Sequence, residues 1–136
     1  MEDLLADNHE TERFYGRWQC GCDKPPGKNN LYVIRLHPDV WDAKRRFRDE
    51  NPRYQTGMPC VYVGETIHEP VCRFAQHLKP HYHRTFATTY GTCLMPEEFE
   101  HRNPVPADQA KTLEEDLGRE LQRRGWAAWW GRPKGP

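Results

Sequence analysis

Two short apolar runs define the strands that this sequence predicts. Residues 31–36 and 60–63 are rich in Leu, Val, Ile and Tyr, and each run has the length of a buried strand. Gly64 follows the second run, and we expect it to end that strand with a close turn of the backbone. A third run, at 126–130, is aromatic and bounded by glycines, which indicates a third strand.

Helical patterns occupy the segments between these strands. Asp39 is a suitable cap for a helix over 40–49, and Pro70 fits the first turn of the next helix. A short helix over 83–90 follows, and the last helix is predicted over 107–124.

The faces of these helices separate buried from exposed positions. In the helix that begins at Pro70, Arg73 and His77 are stacked one turn apart, roughly opposite the apolar stripe. The pattern therefore places both side chains outside the core. In the last helix, Glu114 flanks the apolar stripe, whereas Glu115 points to water.

The order of these elements predicts an α+β domain. Its centre is a small three-stranded sheet, mixed or antiparallel, that is flanked by helices. The domain covers 29–131. Residues 1–28, which end in a turn-rich segment, are predicted to form a partly disordered N-terminal extension, and 132–136 form a tail.

Charge is distributed unevenly along a chain whose formal net charge is zero. The first 12 residues contain five acidic and no basic side chains, which leaves 20 basic and 15 acidic side chains in the rest. Basic clusters lie at 44–48 and around 119–124. Because solvated helix faces explain such clusters more often than phosphate contacts do, the charge pattern permits nucleic-acid binding without indicating it.

The chain shows no signal for export or membrane insertion. Its acidic start lacks the basic and apolar regions of a secretory signal, and no apolar run approaches the roughly 20 residues that span a bilayer. With five cysteines, an odd number, we expect reduced thiols, a cytoplasmic location and no membrane partner. An alternative use of cysteine is half of a zinc site at Cys20 and Cys22, completed by His81 and His83.

Five side chains have the chemistry of a phosphate-processing site. The phenols of Tyr32 and Tyr62, the Arg73 guanidinium and the His77 imidazole suit an anionic reaction centre, and the Glu114 carboxylate suits a divalent metal. Each residue alone is more often a packing or surface residue. Their joint order and spacing are what favour a functional site.

The same residues resemble the GIY-YIG nuclease family. In that family two tyrosine-bearing strands, the second followed by glycine, precede an arginine, often a histidine one turn later, and a glutamate in a later helix. Here Tyr32, the Tyr62-Val63-Gly64 run, Arg73, His77 and the Leu113-Glu114 pair occur in that order. The resemblance covers about 30–130, although the first motif reads Leu-Tyr-Val. Small uncharacterised members with runs like 59–66 and 96–104 resemble the chain more closely than characterised nucleases do.

The resemblance implies a metal-dependent endonuclease that hydrolyses phosphodiester bonds, with DNA favoured over RNA as the partner. It assigns one Mg²⁺ or Mn²⁺ per site to Glu114 and charge stabilisation to Arg73. Tyr32 would be the general base on water, its pKa lowered by Arg73 and the metal, and Tyr62 would position water or phosphate. The residues alone leave those two roles open, and they allow His77 to share the proton.

Two other interpretations stay open at this point. The first is a catalytically inactive GIY-YIG-fold module that binds nucleic acid or protein. Two features favour this interpretation. The charge of the chain is modest, and no asparagine follows Asn103, whereas many family members have an asparagine late in the domain. The second is a protein-interface domain in which both tyrosines are core residues. Biological role, sequence preference and oligomeric state are not predicted.

Overall fold

The computed structural model describes residues 27–79 and 85–131. Most of the predicted N-terminal extension, the tail, and all four residues of the alternative zinc site lie outside the described residues. Within these described residues there are five strands: β1 Lys28–Leu36, β2 Cys60–Thr66, β3 Gly91–Leu94, β4 Val105–Pro106 and β5 Ala127–Trp130. Five α-helices accompany them: α1 Asp39–Ala43, α2 Arg45–Asp49, α3 Pro70–His77, α4 Phe86–Tyr90 and α5 Ala110–Arg123. The predicted α+β class is confirmed.

The strands form one mixed sheet. β1 and β2 are antiparallel neighbours at its centre, β5 runs parallel to β2, and β3 pairs antiparallel with the other side of β1. The short β4 pairs with the first residues of β1. The predicted count of three strands was wrong. β3 and β4 were missed because they are only four and two residues long and carry no apolar run.

The predicted helix over 40–49 is two short helices. Lys44 has extended backbone angles (φ −123°, ψ 103°) and separates α1 from α2. The Arg48 guanidinium donates hydrogen bonds to the carbonyl oxygens of Trp41 (2.8 Å) and Asp42 (2.9 Å). These bonds satisfy carbonyls that a continuous helix would have used for its own ladder, so the break is stabilised locally.

The remaining helices agree with the sequence pattern. The short helix predicted over 83–90 is observed as α4, which begins at Phe86 and not at 83, because Thr85 is extended. The Thr85 hydroxyl caps it by accepting a hydrogen bond from the Thr88 backbone N–H (3.1 Å). The long last helix is confirmed as α5, preceded by one 3₁₀ turn, Ala107–Gln109. Among the described residues, no helix is long and apolar enough to cross a membrane.

A buried side-chain amide, that of Asn51, binds the backbone of the edge strand β5. The Asn51 side chain, 2% exposed, accepts hydrogen bonds from the Ala128 backbone (2.7 Å) and from Gln122 on α5 (2.9 Å). It also donates to the Phe47 carbonyl (2.8 Å). Because every polar atom of this amide has a partner, β5, α5 and the loop after α2 are fixed relative to one another.

Candidate functional site

The register of β1 and β2 brings the two predicted tyrosines together. Tyr32 lies opposite Gly64, and Ile34 lies opposite Tyr62, so both tyrosines project from the same face of the sheet as diagonal neighbours. Their ring centroids are 6.3 Å apart. Tyr32 is 1% exposed and Tyr62 is 7% exposed, so only the edges of this pair reach solvent.

Gly64 has a different role from the predicted one. β2 continues through it to Thr66, so the prediction that Gly64 ends the strand with a turn was wrong. A Cβ atom at this position would overlap the phenol ring of Tyr32. The absence of a side chain therefore makes room for the Tyr32 ring across the strand pair.

This contact gives a direct stability prediction. We expect Gly64→Ala to lower the free energy of unfolding by about 2–3 kcal/mol, because the added methyl group forces the buried Tyr32 ring from its position. Gly131→Ala is the matched control, since its Cβ would meet only ordinary contacts of 3.5 Å or more. Urea denaturation of the two variants and the parent measures the difference. Equal stability of Gly64→Ala and the parent would contradict the packing role.

His77 is buried against both tyrosines. It is 1% exposed, its Nε2 lies 3.1 Å from the Tyr32 hydroxyl, and its ring centroid is 5.5 Å from that of Tyr62. The prediction that His77 lies outside the core was wrong. Helical periodicity correctly separates it from Phe74 and Ala75, but the second face of α3 is covered by the tyrosines and not by water.

Arg73 lies one turn before His77 and is half-buried. Its guanidinium donates to the Gln76 side chain (2.9 Å) and also makes a hydrogen bond with Tyr32. Its positive charge acts on both phenols, where it favours the ionised form. Arg73, His77 and the two tyrosines thus form one connected group, which we call the tyrosine cluster.

Burial dominates the ionisation of both phenols. Loss of hydration raises the pKa of Tyr32 far above its ordinary value, and the neighbouring Tyr62 adds to this, while Arg73 lowers it by less. Burial likewise raises the pKa of Tyr62 to about 12, assisted by Glu114 and opposed by Arg73. Arg73 therefore does not bring the Tyr32 pKa towards neutrality in the protein alone, and both tyrosines are neutral hydrogen-bonding groups at pH 7.

Glu114 projects from α5 into the protein. It is 2% exposed, whereas the side chain of Glu115 is 47% exposed, so the predicted contrast between these two glutamates is confirmed. Burial raises the pKa of Glu114 to about 7, with Lys111 lowering it and Glu65 raising it. Its carboxylate also accepts a hydrogen bond from the Gly131 backbone.

Glu114 and the tyrosine cluster meet at the end of β5. A Cβ atom placed on Gly131 would lie 3.5 Å from Glu114 Oε2 and 3.8 Å from the Tyr62 hydroxyl oxygen. The carboxylate and the phenol therefore approach the same point, where β5 has ended and glycine supplies no side chain between them. α5 contributes Glu114 from the face of the sheet that carries Trp130, and α3 contributes His77 from the opposite face.

The carboxylate of Glu114 lines an open groove of about 490 Å³. We call it the acidic groove, and its charged and terminal lining residues are Glu50, Lys111, Glu114, Glu115, Arg119 and Gly131. Hard carboxylate oxygens suit Mg²⁺, which usually keeps several waters and takes one or two protein carboxylates together with substrate phosphates. Over residues 27–79 and 85–131, no cluster of three or more His, Cys, Asp or Glu side chains forms a closed metal site. Three carboxylates line the groove, those of Glu50, Glu114 and Glu115, and their oxygens are of the kind that Mg²⁺ takes as ligands.

Two supporting residues were missed by sequence reasoning. Glu65 follows Gly64 on β2, accepts a hydrogen bond from Asn29 (2.6 Å), and lies 3.6 Å from the Lys111 ammonium. Its position directly after the Tyr62-Val63-Gly64 run could have identified it as a candidate site residue. Asn103 pairs with both backbone groups of Leu31, accepting at 2.7 Å and donating at 2.8 Å, which fixes β1 next to Tyr32. No sequence period links residues so far apart.

Comparisons of the chain with family models, with curated protein sequences and with solved structures found no match. The assignment of function therefore depends on the chemistry of the residues gathered at this site.

Proposed function

We propose that this protein is a metal-dependent endonuclease that hydrolyses phosphodiester bonds of nucleic acid, with DNA as the substrate. The observation that carries the proposal is the meeting of the tyrosine cluster with the buried Glu114 carboxylate at Gly131. A guanidinium and a carboxylate suit the charge stabilisation and cation binding of phosphodiester hydrolysis, and neutral phenols and an imidazole can move a proton there. The resemblance to GIY-YIG nucleases in the order of these residues supports the same conclusion.

Arg73 supplies the fixed positive charge in the proposed mechanism. Charge accumulates on the phosphoryl oxygens in the transition state, and a guanidinium stays protonated at every relevant pH. Its contacts with Gln76 and Tyr32 hold it in place before substrate binds. Arg73 therefore stabilises the developing charge without reorganising during the reaction.

Tyr32 and His77 form a proton relay in this mechanism. The attacking water transfers a proton to the Tyr32 oxygen while Tyr32 passes its own proton to His77 Nε2, 3.1 Å away. The water oxygen bonds to phosphorus as the bond to the leaving oxygen breaks. Because the phenol gives up a proton as it receives one, the strongly raised pKa of Tyr32 is no obstacle.

Glu114 would hold the divalent cation, which when bound supplies charge neutralisation at the phosphate and the leaving oxygen. Tyr62 reaches the same point beside Gly131 and would position water or phosphate by hydrogen bonding. Glu65 and Lys111 set the local charge beside the carboxylate. The chain's own residues thus orient the phosphate, stabilise its developing charge through Arg73 and move one proton.

The test is nicking of supercoiled plasmid with Mg²⁺ or Mn²⁺ and with chelator. We expect cation-dependent nicking by the parent and a rate about a hundred-fold lower in Tyr32→Phe, since the relay loses its hydroxyl. Tyr54→Phe is the matched control, because it removes a hydroxyl that donates to the Met58 carbonyl (2.7 Å), outside the site. An unchanged rate in Tyr32→Phe would show that the tyrosine is a packing residue.

A binding module without turnover is the second candidate. The nearly complete burial of Tyr32 and of Glu114 favours it, because a substrate must approach groups that are almost covered. This candidate predicts reproducible binding of DNA with no cation-dependent nicking in the same assay. The plasmid experiment therefore separates the two functions.

A further inference from the structure

A second groove joins the acidic groove along α5. It encloses about 470 Å³, and the residues that characterise it are Arg53, Arg119, Arg123 and Trp126. We call it the basic groove. Glu50, Arg119 and Gln122 line both grooves, so the two are continuous.

The two grooves carry opposite charge. The basic groove is lined by three arginines and by one carboxylate, that of Glu50, which gives a formal charge of +2. The acidic groove is lined by Lys111 and Arg119 against three carboxylates, which gives −1 with Glu114 ionised. A cation would therefore be attracted to the acidic groove, and the polyanion that shares this cation would be attracted to the adjoining basic groove.

The helix α5 gives these charges a regular spacing. Lys111, Glu115, Arg119 and Arg123 follow at intervals of four residues and share one face. The twelve steps along the helix from Lys111 to Arg123 rise by about 18 Å, which corresponds to roughly five phosphates along one strand of B-DNA. The two grooves together thus have the length of a segment of a DNA strand and not that of a small anion.

Arg119, where the grooves meet, is held in position. Its guanidinium bonds to Glu115 (2.6 Å) and lies over the Trp130 ring, 5.4 Å from the centroid. Gly118 allows this arrangement, because a Cβ atom there would overlap the same ring. The side chain is still 56% exposed, so a phosphate can approach it.

We propose that the basic groove binds the phosphates of the DNA strand next to the phosphodiester bond that is cleaved at Gly131, where Glu114 meets the tyrosine cluster. The inference rests on the proposed function, since it names how the same site holds its substrate. Arg53 and Arg123 would contact successive phosphates, and Arg119 would contact the phosphate nearest Glu114. These contacts are to the backbone, so they position the strand without reading its sequence.

The test is fluorescence anisotropy of a labelled DNA duplex with the full chain in chelator, over a series of salt concentrations. Each lost phosphate contact lowers the slope of log K against log salt by about 0.9, so Arg53→Gln/Arg123→Gln should lower it by about 2. Arg45→Gln is the matched control, because its side chain is 84% exposed on α2 and lines neither groove. Its slope should equal that of the parent.

Three results would overturn the basic groove as a strand-binding surface: no duplex binding by the parent, equal slopes in the double variant and Arg45→Gln, or equally tight binding of polyglutamate. Plasmid nicking, measured separately, keeps this inference distinct from the nuclease proposal. If the protein nicks plasmid and the double variant has an unchanged slope, the proposal for the basic groove is contradicted and the nuclease proposal stands. If the double variant has a lowered slope but the parent does not nick plasmid, strand binding by the basic groove is supported and the nuclease proposal is contradicted.

Discussion

Glu114→Gln is expected to abolish cation-dependent cleavage and, in the absence of metal, to stabilise the protein above pH 7. The amide keeps the shape of the carboxyl group but cannot hold a divalent cation, so the rate should fall by about 10³ or more. The gain in stability has a separate cause. The parent must keep a carboxylate ionised at 2% exposure, and burial raises the pKa of that group to about 7.

The sign of the pH dependence follows from this shift. The folded carboxyl has a pKa of about 7, and its unfolded value is 4.5. Between these values the folded protein holds a proton that the unfolded chain has lost, so this contribution to stability is complete below pH 4.5 and disappears as pH rises through 7. The full effect is about 3 kcal/mol, of which about 2–3 kcal/mol falls between pH 5 and pH 8. Glu114→Gln lacks the titration and should gain that much over the parent between pH 5 and pH 8.

Urea denaturation at pH 5 and pH 8 in chelator measures the difference between variant and parent, and plasmid nicking measures the loss of activity. Asp116→Asn is the matched control, because Asp116 is exposed on the same helix. It should leave both the cleavage rate and the pH dependence unchanged. A Glu114→Gln protein that cleaves DNA at a rate near that of the parent, or that shows no gain at pH 8, would contradict the role of this carboxylate.

The central part of the fold follows from local sequence patterns. β1, β2 and β5 were predicted because their apolar runs must be buried, and α5 because its apolar stripe repeats at the helical period. β3 was not predicted, since its four residues are all half-buried and show no alternation. Pairing with β1 makes it a strand, and that pairing depends on residues nearly 60 positions away.

The candidate site shows the same division. Periodicity placed Glu114 towards the interior, because one element alone determines which way a helix residue points. It failed for His77, whose burial depends on a second element covering the polar face of α3. The interpretation of Gly64 as a strand end was also wrong, because this glycine instead makes room for the Tyr32 ring on the neighbouring strand. Sequence patterns thus give the direction of a side chain, whereas its partner across the fold decides its environment.

Arg73→Ala is expected to lower the cleavage rate by about 10²–10³, the effect typical of losing a fixed donor to a developing anion. The loss should appear in the rate constant at saturating substrate, because the charge it stabilises exists mainly in the transition state. Arg73→Lys should recover only part of this loss, since an ammonium lacks the planar fork of donors. The position is half-buried beside Gln76 and Tyr32, so the fold is expected to tolerate both changes.

Arg35 provides the matched control for this position. It is an exposed arginine on β1, three residues from Tyr32 and therefore on the opposite face of the sheet. Arg35→Ala should cleave plasmid within a few-fold of the parent rate, and circular dichroism should show that all variants are folded. If Arg73→Ala also cleaved within a few-fold of the parent, its guanidinium would not face the reacting phosphate. The tyrosine cluster would then be a packed core in which Arg73 has a structural role, as the hydrogen-bond partner of Tyr32 and Gln76.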